Sequence, residues 1–417
     1  MPAMSGASPD VLVVGAGLAG LACAVDLLRA GLSVRVVEAS DGVGGRMRSD
    51  RHEGFVIDRG FQVFNTSYPQ VKRRLSLPAL KLRPFTPGVV VHTERGNLRF
   101  TDPTRAPHRF SDLRPGRLAS ARDLLALGVL SARDVLGPVG PLKRGEDRTT
   151  WTALSAAGFS EEFIERFFRP FLSGVFLEDE LETSSRFFHL VWRSMVRGTL
   201  CLPARGIGAV PAQLAAGLPA DVVSLERPVE RLTDDGVLLA SGQEVAARAV
   251  VVATGPGPAA SLLPGLVVPV SRVVTTYYHA TGGPSPLPEP TLLTDSERRF
   301  LNTCVLSEVQ SGYAPAGRHL VATSVLGADE PGREALVRTA LAEVYGTGTD
   351  GWELLTVRTV PDALPAMPPP QPLSRTAWVG PGRYVCGDHR ATGSVQGALA
   401  SGTRAARTVL RDLASSN

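Results

Sequence analysis

Residues 11–20 read Val-Leu-Val-Val-Gly-Ala-Gly-Leu-Ala-Gly, an apolar run that passes directly into a glycine-rich turn. Four consecutive apolar residues are typical of a strand buried on both faces of a parallel sheet. Helical spacing over 21–30 predicts a helix that ends at Gly31, and the apolar run from Ser33 to Glu38 predicts a second strand. Strand, turn, helix and strand in this order predict a βαβ unit, so the fold class is α/β.

The three glycines of this turn match the requirements of dinucleotide binding. Gly15 makes the tight turn, Gly17 lets the backbone approach a pyrophosphate, and Gly20 lets helix and strand pack closely. Leu18 and Ala19 lie within this turn, and the N-terminus of the helix that follows offers free N–H groups and a partial positive charge to phosphate oxygens. The turn therefore predicts a phosphate-binding site at a helix N-terminus.

Glu38 ends the second predicted strand, 18 residues after Gly20. A carboxylate at this position accepts hydrogen bonds from the adenosine ribose and disfavours the 2′-phosphate of NADP. The stretch over 38–46 reads Glu-Ala-Ser-Asp-Gly-Val-Gly-Gly-Arg, in which the glycines let the chain fold back and Arg46 can balance the pyrophosphate charge. Residues 54–62, Gly-Phe-Val-Ile-Asp-Arg-Gly-Phe-Gln, predict a further strand and turn.

Composition narrows the class of protein. The 417 residues suit two domains, and 43% hydrophobic with 20% charged residues is typical of a soluble globular chain. A net charge of +4 without long basic runs argues against nucleic-acid binding. The four cysteines are far apart and no cluster has metal-ligand spacing, so we expect neither disulfides nor a metal. No signal peptide is predicted, because residues 1–10 lack a basic region and are too short for one. No transmembrane segment is predicted, because the apolar stretch 11–28 contains three glycines and an aspartate, and the predicted location is cytoplasmic.

A second motif lies near the C-terminus. Residues 383–388 read Arg-Tyr-Val-Cys-Gly-Asp, a predicted strand ending in Gly-Asp, and residues 392–398 read Thr-Gly-Ser-Val-Gln-Gly-Ala before a helix that runs through Ala406. In the middle of the chain, 222–231 and 249–255 predict two further strands, and Pro-Ala-Arg-Gly-Ile-Gly-Ala-Val-Pro at 203–211 adds a third motif. With these motifs, about half the chain resembles the flavin-containing amine oxidase and phytoene desaturase superfamily, which also includes protoporphyrinogen oxidases.

The resemblance implies a Rossmann-like FAD-binding domain assembled from three segments, 1–65, 205–262 and 376–417. An α+β substrate-binding domain is then inserted as 66–204 and 263–375. The FAD is expected to be non-covalent, since the 392–398 loop contains no cysteine. The resemblance places Asp388 at the ribityl chain, Val229 at the adenine, and the last helix N-terminus at the flavin N1 and O2 edge, where it stabilises negative charge. The expected FAD contacts are Gly15, Gly17, Leu18, Ala19, Gly20, Glu38, Ala39, Ser40, Gly45, Arg46, Gly60, Phe61, Gln62, Val229, Ala253, Gly387, Asp388, Ser394, Val395, Gln396 and Ala398.

Two positions distinguish the branches of this superfamily. Amine oxidases of the family share a tyrosine at the position of Ser394 and a lysine near the flavin, whereas the 271–278 stretch contains only Arg272 as a basic residue. Both departures favour an FAD-dependent dehydrogenase or desaturase of a mostly apolar small molecule, with hydride passing to the flavin N5. An amine oxidase using oxygen, a redox-neutral isomerase and a non-enzymatic FAD protein stay open as alternatives.

The inserted segments supply fewer signals. The aromatic residues Phe163, Phe167, Phe168, Phe171, Phe176, Phe187, Phe188 and Trp192 predict either an apolar substrate cavity or plain core. Candidate catalytic residues are Tyr277, Tyr278 and His189, and His279 is a further acid/base candidate by type alone.

A second glycine-containing motif bears on which molecule accepts the electrons. The stretch 255–260, Gly-Pro-Gly-Pro-Ala-Ala, fits a second nucleotide motif, but its two prolines, the missing helical run and the missing acid argue against NAD. The expected electron acceptor is therefore oxygen, a quinone or a carrier protein. The substrate, the acceptor and the oligomeric state, including a homo-oligomer, stay open.

Overall fold

The computed structural model describes residues 8–61 and 63–415. Within them the strands are β1 (Val11–Val14), β2 (Val34–Val37), β3 (Ser49–His52), β4 (Phe55–Asp58), β5 (Phe64–Asn65), β6 (Arg83–Pro84), β7 (Gly88–Thr93), β8 (Gly96–Thr101), β9 (Leu200–Leu202), β10 (Val223–Ser224), β11 (Val229–Thr233), β12 (Gly236–Leu239), β13 (Glu244–Ala246), β14 (Ala249–Val252), β15 (Ser271–Gly282), β16 (Leu293–Asp295), β17 (Asn302–Val305), β18 (Arg318–Leu326), β19 (Glu353–Pro365), β20 (Trp378–Gly380) and β21 (Arg383–Val385).

The helices of the same residues are α1 (Leu18–Arg29), α2 (Pro69–Arg74), α3 (Ala121–Leu136), α4 (Val139–Arg144), α5 (Thr150–Ala156), α6 (Glu161–Phe163), α7 (Arg169–Phe176), α8 (Ser185–Arg197), α9 (Ala209–Ala215), α10 (Pro256–Leu262), α11 (Leu306–Val309), α12 (Arg333–Tyr345) and α13 (Val395–Ser415). A π-helical turn at Ile164–Phe168 joins α6 to α7. Short 3-10 turns lie at Pro78–Leu80, Pro107–Leu113, Ser311–Tyr313 and Asp388–Arg390.

A six-stranded sheet holds the glycine-rich turn. Its strand order is β10-β2-β1-β14-β21-β20, parallel except for the edge strand β20, which runs antiparallel to β21. All four residues of β1 are buried, as expected for a strand covered on both faces. The predicted α/β fold is confirmed, and α1 begins three residues earlier than predicted, at Leu18.

One of the two strands predicted in the middle of the chain needs correction. The stretch 222–231 is not one strand: β10 pairs with β2 in the six-stranded sheet, whereas β11 pairs with β12 in a separate three-stranded sheet. Glu226 has a φ of +54° between them, and Pro228 removes a donor, so the extended backbone is interrupted. The strand predicted over 249–255 is β14, which lies in the centre of the six-stranded sheet between β1 and β21.

Helices α1 and α13 pack against each other on this sheet with close backbone contact. A Cβ at Gly402 would lie 2.1 Å from the carbonyl oxygen of Ala19, so only glycine permits this distance. Cys23 and Cys386 are buried in the same core, and all four cysteines of the chain are free and buried. The cysteines therefore pack as small apolar side chains.

A seven-stranded mixed sheet forms the second large layer, in the order β19-β15-β18-β17-β16-β7-β8. One face of β15 contributes Tyr277 to a core with helix α12, and the other face contributes Tyr278 to a core with β4. Helices α3 and α5–α8 pack beside β7 and β8 around a dense set of phenylalanines. In the described part of the chain, no helix has both the length and the apolar sequence that a membrane crossing requires.

Candidate active site

Of the three glycines in the turn, Gly17 has open space beside it, whereas Gly15 and Gly20 have none. Gly15 has a φ of +107°, and a Cβ there would lie 2.9 Å from the Ala253 carbonyl oxygen. A Cβ on Gly20 would lie 2.0 Å from the Gly15 carbonyl oxygen, whereas a Cβ on Gly17 would meet nothing within 4 Å. The lack of space at Gly15 and Gly20 explains why the turn and the helix–strand packing require glycine. The open space at Gly17 gives a ligand access to the backbone. The first N–H groups of α1 point out of this turn without helical partners.

Glu38 is half-buried at the end of β2 and faces the turn. One carboxylate oxygen accepts the Ala16 N–H at 2.7 Å. The other accepts the N–H and hydroxyl of Ser40 at 3.0 and 2.8 Å. A carboxylate offers about four lone-pair sites, so these three bonds fix its position and leave capacity for a ribose hydroxyl. Arg227 N–H donates to the Glu38 carbonyl, which places the strand that begins at Val229 two residues from this contact.

The 38–46 stretch returns to the turn as predicted. Gly44 N–H donates to the Ala16 carbonyl at 2.9 Å, with Gly44 and Gly45 both at positive φ. Arg46 donates to the Asp388 carboxylate at 2.6 Å and to the Ala363 carbonyl at 2.9 Å. The residue predicted to balance the pyrophosphate thus pairs with the residue predicted to hold the ribityl chain, and it joins segments 342 residues apart.

His389 is a buried polar group that the sequence reasoning missed. It is 3% exposed, and neither ring nitrogen has a hydrogen-bond partner among the residues described. Burial lowers its pKa to about 4, which the nearby Asp388 opposes and the cations of Arg390 and Arg46 reinforce, so the ring is neutral at pH 7. Buried polar atoms without partners are rare in folded proteins. Their position beside Asp388 fits a polar ligand at this end of β21, and the only sequence signal was a histidine directly after Gly-Asp.

Ser394 has a structural task at the start of α13. Its Oγ accepts the Gly397 N–H at 3.0 Å and lies 3.1 Å from the Thr392 hydroxyl, as in a helix N-cap. A Cβ on Gly397 would lie 1.8 Å from the Thr392 carbonyl oxygen, so the tight loop requires glycine there. The Gln396 side chain accepts the N–H of Gln70 at 2.9 Å, which fixes the first turn of the helix that also contains Val395 and Ala398. The N-terminus of α13 is therefore rigidly placed.

The last residue of β4, Asp58, is a buried carboxyl that was not among the predicted site residues. Asp58 is fully buried and accepts from Ser49, from the Ile207 N–H at 2.9 Å and from the Tyr313 hydroxyl at 3.0 Å. Burial raises its pKa to about 6, which these three hydrogen bonds oppose. Gly60 follows at a φ of +95°, and Phe61 N–H lies 3.4 Å from the Thr276 hydroxyl on β15.

Three predicted contacts remain to be placed. Ala253 N–H donates to the Val14 carbonyl at 2.8 Å, beside Gly20, and Ala39 is exposed between Glu38 and Ser40. Gln62 lies outside the described residues. Predicted contacts in the glycine-rich turn, at Glu38, at Ala253 and at Gly387 follow the carboxyl ends of β1, β2, β14 and β21, where ligands bind in open parallel sheets. Gly60 and Phe61 follow β4, and Val229 begins β11, so these three lie outside the six-stranded sheet.

A cavity of about 1290 Å³ opens between α3, α8 and the strands β7 and β8, of which β8 is the edge strand of its sheet. Its walls are mainly apolar and include Phe85, Phe100, Phe110, Phe167, Phe171 and Trp192. Three of the aromatic residues predicted to line a cavity or core therefore line it, while Phe163, Phe168, Phe176, Phe187 and Phe188 are core. Phe85 also belongs to the core cluster against which Phe61 and Val63 pack, so the cavity lining and the residues that follow β4 share one cluster.

The candidate catalytic residues lie in three different environments. Tyr277 and Tyr278 are both fully buried; the Tyr277 hydroxyl donates to Asp329, and that of Tyr278 donates to the Asp58 carbonyl at 2.8 Å. His189 Nδ1 lies 2.7 Å from the buried carboxylate of Asp134 on α3. None of the three lines the cavity, and the structure does not bring them together.

His279 and the second glycine motif also have defined surroundings. The His279 ring is buried, and its Nε2 lies 2.8 Å from the Glu334 carboxylate on α12. The 255–260 motif does contain a helical run, contrary to expectation: α10 spans seven residues with Pro256 in its first turn, where proline is tolerated. No group of three His, Cys, Asp or Glu side chains with metal-binding geometry occurs within residues 8–61 and 63–415.

Comparisons with known proteins agree with this geometry. The family of flavin-containing amine oxidoreductases matches residues 18–410. Hydroxysqualene dehydroxylase of Rhodopseudomonas palustris is 30% identical over 97% of this chain and 99% of its own length. A putative protoporphyrinogen oxidase from Exiguobacterium shares the fold with a TM-score of 0.73, at 17% identity over 98% of this chain and 100% of that one. Cyclohexylamine oxidase from Brevibacterium oxydans shares it with a TM-score of 0.71, at 20% identity over 98% and 100% of the two chains. The chain therefore belongs to the flavin-containing amine oxidoreductase family and is an oxidoreductase.

Proposed function

We propose that this oxidoreductase uses FAD for the two-electron dehydrogenation, or desaturation, of a mostly apolar small molecule. The observation that supports this most is the apolar cavity, because its lining residue Phe85 belongs to the core cluster against which Phe61 packs. Binding pockets with largely apolar walls suit substrates that bury most of their surface. The relative from Rhodopseudomonas palustris is named for a squalene derivative, which agrees with this substrate class.

The proposal assigns the FAD contacts to groups that the fold already holds in place. The N-terminus of α1 would bind the pyrophosphate, Glu38 the adenosine ribose, and Asp388 the ribityl chain. FAD supplies the acceptor for the hydride and for the two electrons it carries. The N-terminus of α13 would stabilise negative charge at the pyrimidine edge, and the apolar cavity walls would exclude water from the reacting carbon.

We further propose that FAD is bound without a covalent link. No cysteine occurs in the 392–398 loop, and Cys386 is fully buried at the end of β21. Burial raises the pKa of the Cys386 thiol to about 12, so at neutral pH it is protonated and a poor nucleophile. FAD-binding segments 1–65, 205–262 and 376–417, with a substrate domain from 66–204 and 263–375, belong to the same proposal.

Two features argue against oxidation of simple amines. Ser394 caps α13 and offers no aromatic face, and β15 carries no lysine. An aromatic face attracts an ammonium by roughly 0.5–2 kcal/mol. Without the tyrosine ring that amine oxidases of the family have at the position of Ser394, selectivity for an amine is therefore lower by up to about thirtyfold.

Anaerobic stopped-flow reduction of the FAD-loaded protein tests the reaction. We expect bleaching by an apolar alkene or cyclic precursor, with a panel of small primary amines inert. Bleaching by the amines at turnover rates of roughly 1–1,000 per second would overturn the proposed substrate class. A reaction that needs reduced flavin but consumes no electrons would instead identify an isomerase. Oxygen uptake after reduction separates oxygen from a quinone or carrier protein as acceptor.

Acid denaturation of the same preparation tests the cofactor. The protein should be yellow with one FAD per chain, and the flavin should stay in the supernatant when the polypeptide precipitates. Flavin that remains on the denatured polypeptide would contradict the non-covalent assignment. A colourless protein that does not bind added FAD would contradict the whole proposal.

A further inference from the structure

Helix α3 exposes an apolar stripe that its own fold does not cover. Leu125, Val129 and Leu136 are 70%, 63% and 83% exposed, and their spacing of four and seven residues places them on one face of the helix. Phe110, in the 3-10 turn before α3, is 70% exposed. Single exposed apolar side chains are common, but a contiguous group marks an interaction surface. These four residues are the apolar stripe.

The segment that carries the stripe is basic, although Arg105, Arg109 and Arg133 within it have carboxylate partners. Residues 103–146 contain eight Lys and Arg against four Asp and Glu, a net +4 that equals the net charge of the whole chain. Two of the four acids, Asp123 and Asp134, are buried and bonded internally. The basic rim, defined as the exposed residues without an ion pair to any residue the structure describes, consists of Arg114, Arg117, Arg122, Lys143 and Arg144.

The same helix forms a wall of the apolar cavity. Leu124, Leu127 and Gly128 on α3 line the cavity, and so do Phe110 and Leu136 of the stripe. Whatever covers the stripe therefore also covers an opening of the cavity. A water-filled approach would expose an apolar substrate to solvent at this opening, which costs roughly 25 cal/mol per Å² of apolar surface.

We propose that the apolar stripe and the basic rim dock the protein on the surface of a bilayer that contains anionic lipids, with α3 lying in the interface. The rim would contact lipid phosphates while the stripe enters the acyl boundary, as in amphipathic helices that lie in the membrane plane. A second copy of the chain fits this face poorly, because two basic rims would then face each other. This inference rests on the proposed function in one respect: docking delivers an apolar substrate from the lipid to the cavity.

Vesicle sedimentation of the FAD-loaded chain, without substrate, tests the docking. We expect binding to vesicles of phosphatidylcholine and phosphatidylglycerol in equal amounts, weaker binding to phosphatidylcholine alone, and a loss of binding as salt rises. Each basic residue near an anionic surface adds roughly a factor of five to the partition coefficient. The triple variant Arg114→Gln, Arg117→Gln, Arg122→Gln should therefore bind on the order of a hundredfold more weakly.

Matched variants separate the stripe from general surface effects. Leu125→Ser, Val129→Ser and Leu136→Ser together should weaken binding at least about tenfold. The control changes three apolar residues of similar exposure elsewhere, Val267→Ser, Val270→Ser and Leu336→Ser, and should bind like the parent. The charge control, Arg29→Gln, Arg73→Gln and Arg407→Gln, removes exposed basic residues outside the rim.

Four results would overturn the docking. They are equal binding to neutral and anionic vesicles, equal losses in the control variants, no binding at low salt, and a stripe-dependent dimer that binds no vesicle. If flavin is bleached by an apolar substrate in detergent while vesicle binding is absent, the docking is wrong and the proposed function stands. Vesicle binding without any such bleaching would support the docking and contradict the proposed function.

Discussion

The glycine-rich turn of α1 and the aromatic cluster around α6–α8 differ in what fills the space between their elements. In the turn, backbone meets backbone: a Cβ on Gly20 would lie 2.0 Å from a carbonyl oxygen. In the cluster, large rings meet one another, and the Phe163 and Phe167 rings stack with their centroids 5.0 Å apart. Gly15 and Gly20 in the first arrangement accept almost no substitution, whereas in the second the consequence depends on whether a ring faces core or cavity.

This difference in packing shows which residues of each region contribute to stability and which to function. In the turn, packing and ligand access depend on which of three glycines is changed. In the cluster, neighbouring phenylalanines on one helical segment contribute to stability or to the substrate cavity.

The largest expected effect is on the stability of the aromatic cluster. Phe168 is fully buried and makes edge contacts with Phe159, Phe163 and Phe167, so Phe168→Ala should lower the free energy of unfolding by about 3–5 kcal/mol. Phe171 lines the cavity and is half-buried, so Phe171→Ala should cost less than about 2 kcal/mol and instead change KM for an apolar substrate. Urea unfolding and steady-state kinetics measure both variants. Equal losses of stability would show that Phe171 is core.

The turn allows a similar separation with two glycines. Gly20→Ala places a Cβ against backbone that cannot move aside, so we expect at least about 3 kcal/mol of destabilisation. Gly17→Ala meets no protein atom within 4 Å, so the unfolding of the FAD-free protein should be unchanged while FAD affinity falls. Thermal unfolding without FAD and titration with FAD distinguish the two. A Gly17→Ala protein with normal FAD affinity would mean that the pyrophosphate does not approach this residue.

The glycine-rich turn could be predicted from the sequence, whereas the roles of the rings in the aromatic cluster could not. The turn, α1 and the position of Glu38 were readable, because glycine conformations and hydrophobic periodicity act over a few residues. The role of Phe168 against Phe171 was not readable, since long-range partners such as Trp192 decide which ring faces the cavity. The burial of Asp58 depends on Tyr313, 255 residues away, and no local pattern signals that contact. The break between β10 and β11 had one local signal, Pro228, which the strand prediction overlooked.

Two buried titratable groups near the site should act on stability in opposite directions. Asp58 has a pKa raised to about 6 from 3.8, so its burial destabilises the fold as pH rises from 3.8 to 6 and the carboxyl ionises. His389 has a pKa lowered to about 4 from 6.5, so the fold loses stability as pH falls from 6.5 to 4 and the unfolded chain takes up the proton. Each shift of about two pKa units corresponds to about 3 kcal/mol, so the two contributions nearly cancel in the parent protein.

Single variants should reveal the cancelled contributions. Asp58→Asn leaves His389, so between pH 4 and 6.5 this variant should gain about 3 kcal/mol of unfolding free energy as pH rises. His389→Asn leaves Asp58, so over about the same interval this variant should lose a similar amount as pH rises. Urea unfolding at a series of pH values, at constant FAD concentration, gives the slopes, and the double variant serves as control. Parallel slopes in both single variants would contradict the assigned pKa shifts.

The smallest expected effect is on FAD affinity at Glu38, and it tests whether the turn binds a ribose as well as a pyrophosphate. Glu38→Ala removes the acceptor for the proposed ribose hydroxyls, and hydrogen bonds to charged groups contribute roughly 1.5–3 kcal/mol each. The dissociation constant for FAD should therefore rise about ten- to a hundredfold. Ala16 N–H and Ser40 lose their acceptor as well, but the site is half-buried and water can replace it, so the fold should persist.

Fluorescence titration with FAD measures the constant, and Glu244→Ala, an exposed glutamate on β13, is the control. Glu38→Gln distinguishes charge from geometry, because the amide keeps one acceptor oxygen and loses the charge. An unchanged dissociation constant in Glu38→Ala would mean that this carboxylate only braces the turn through Ala16 and Ser40 and does not contact the adenosine.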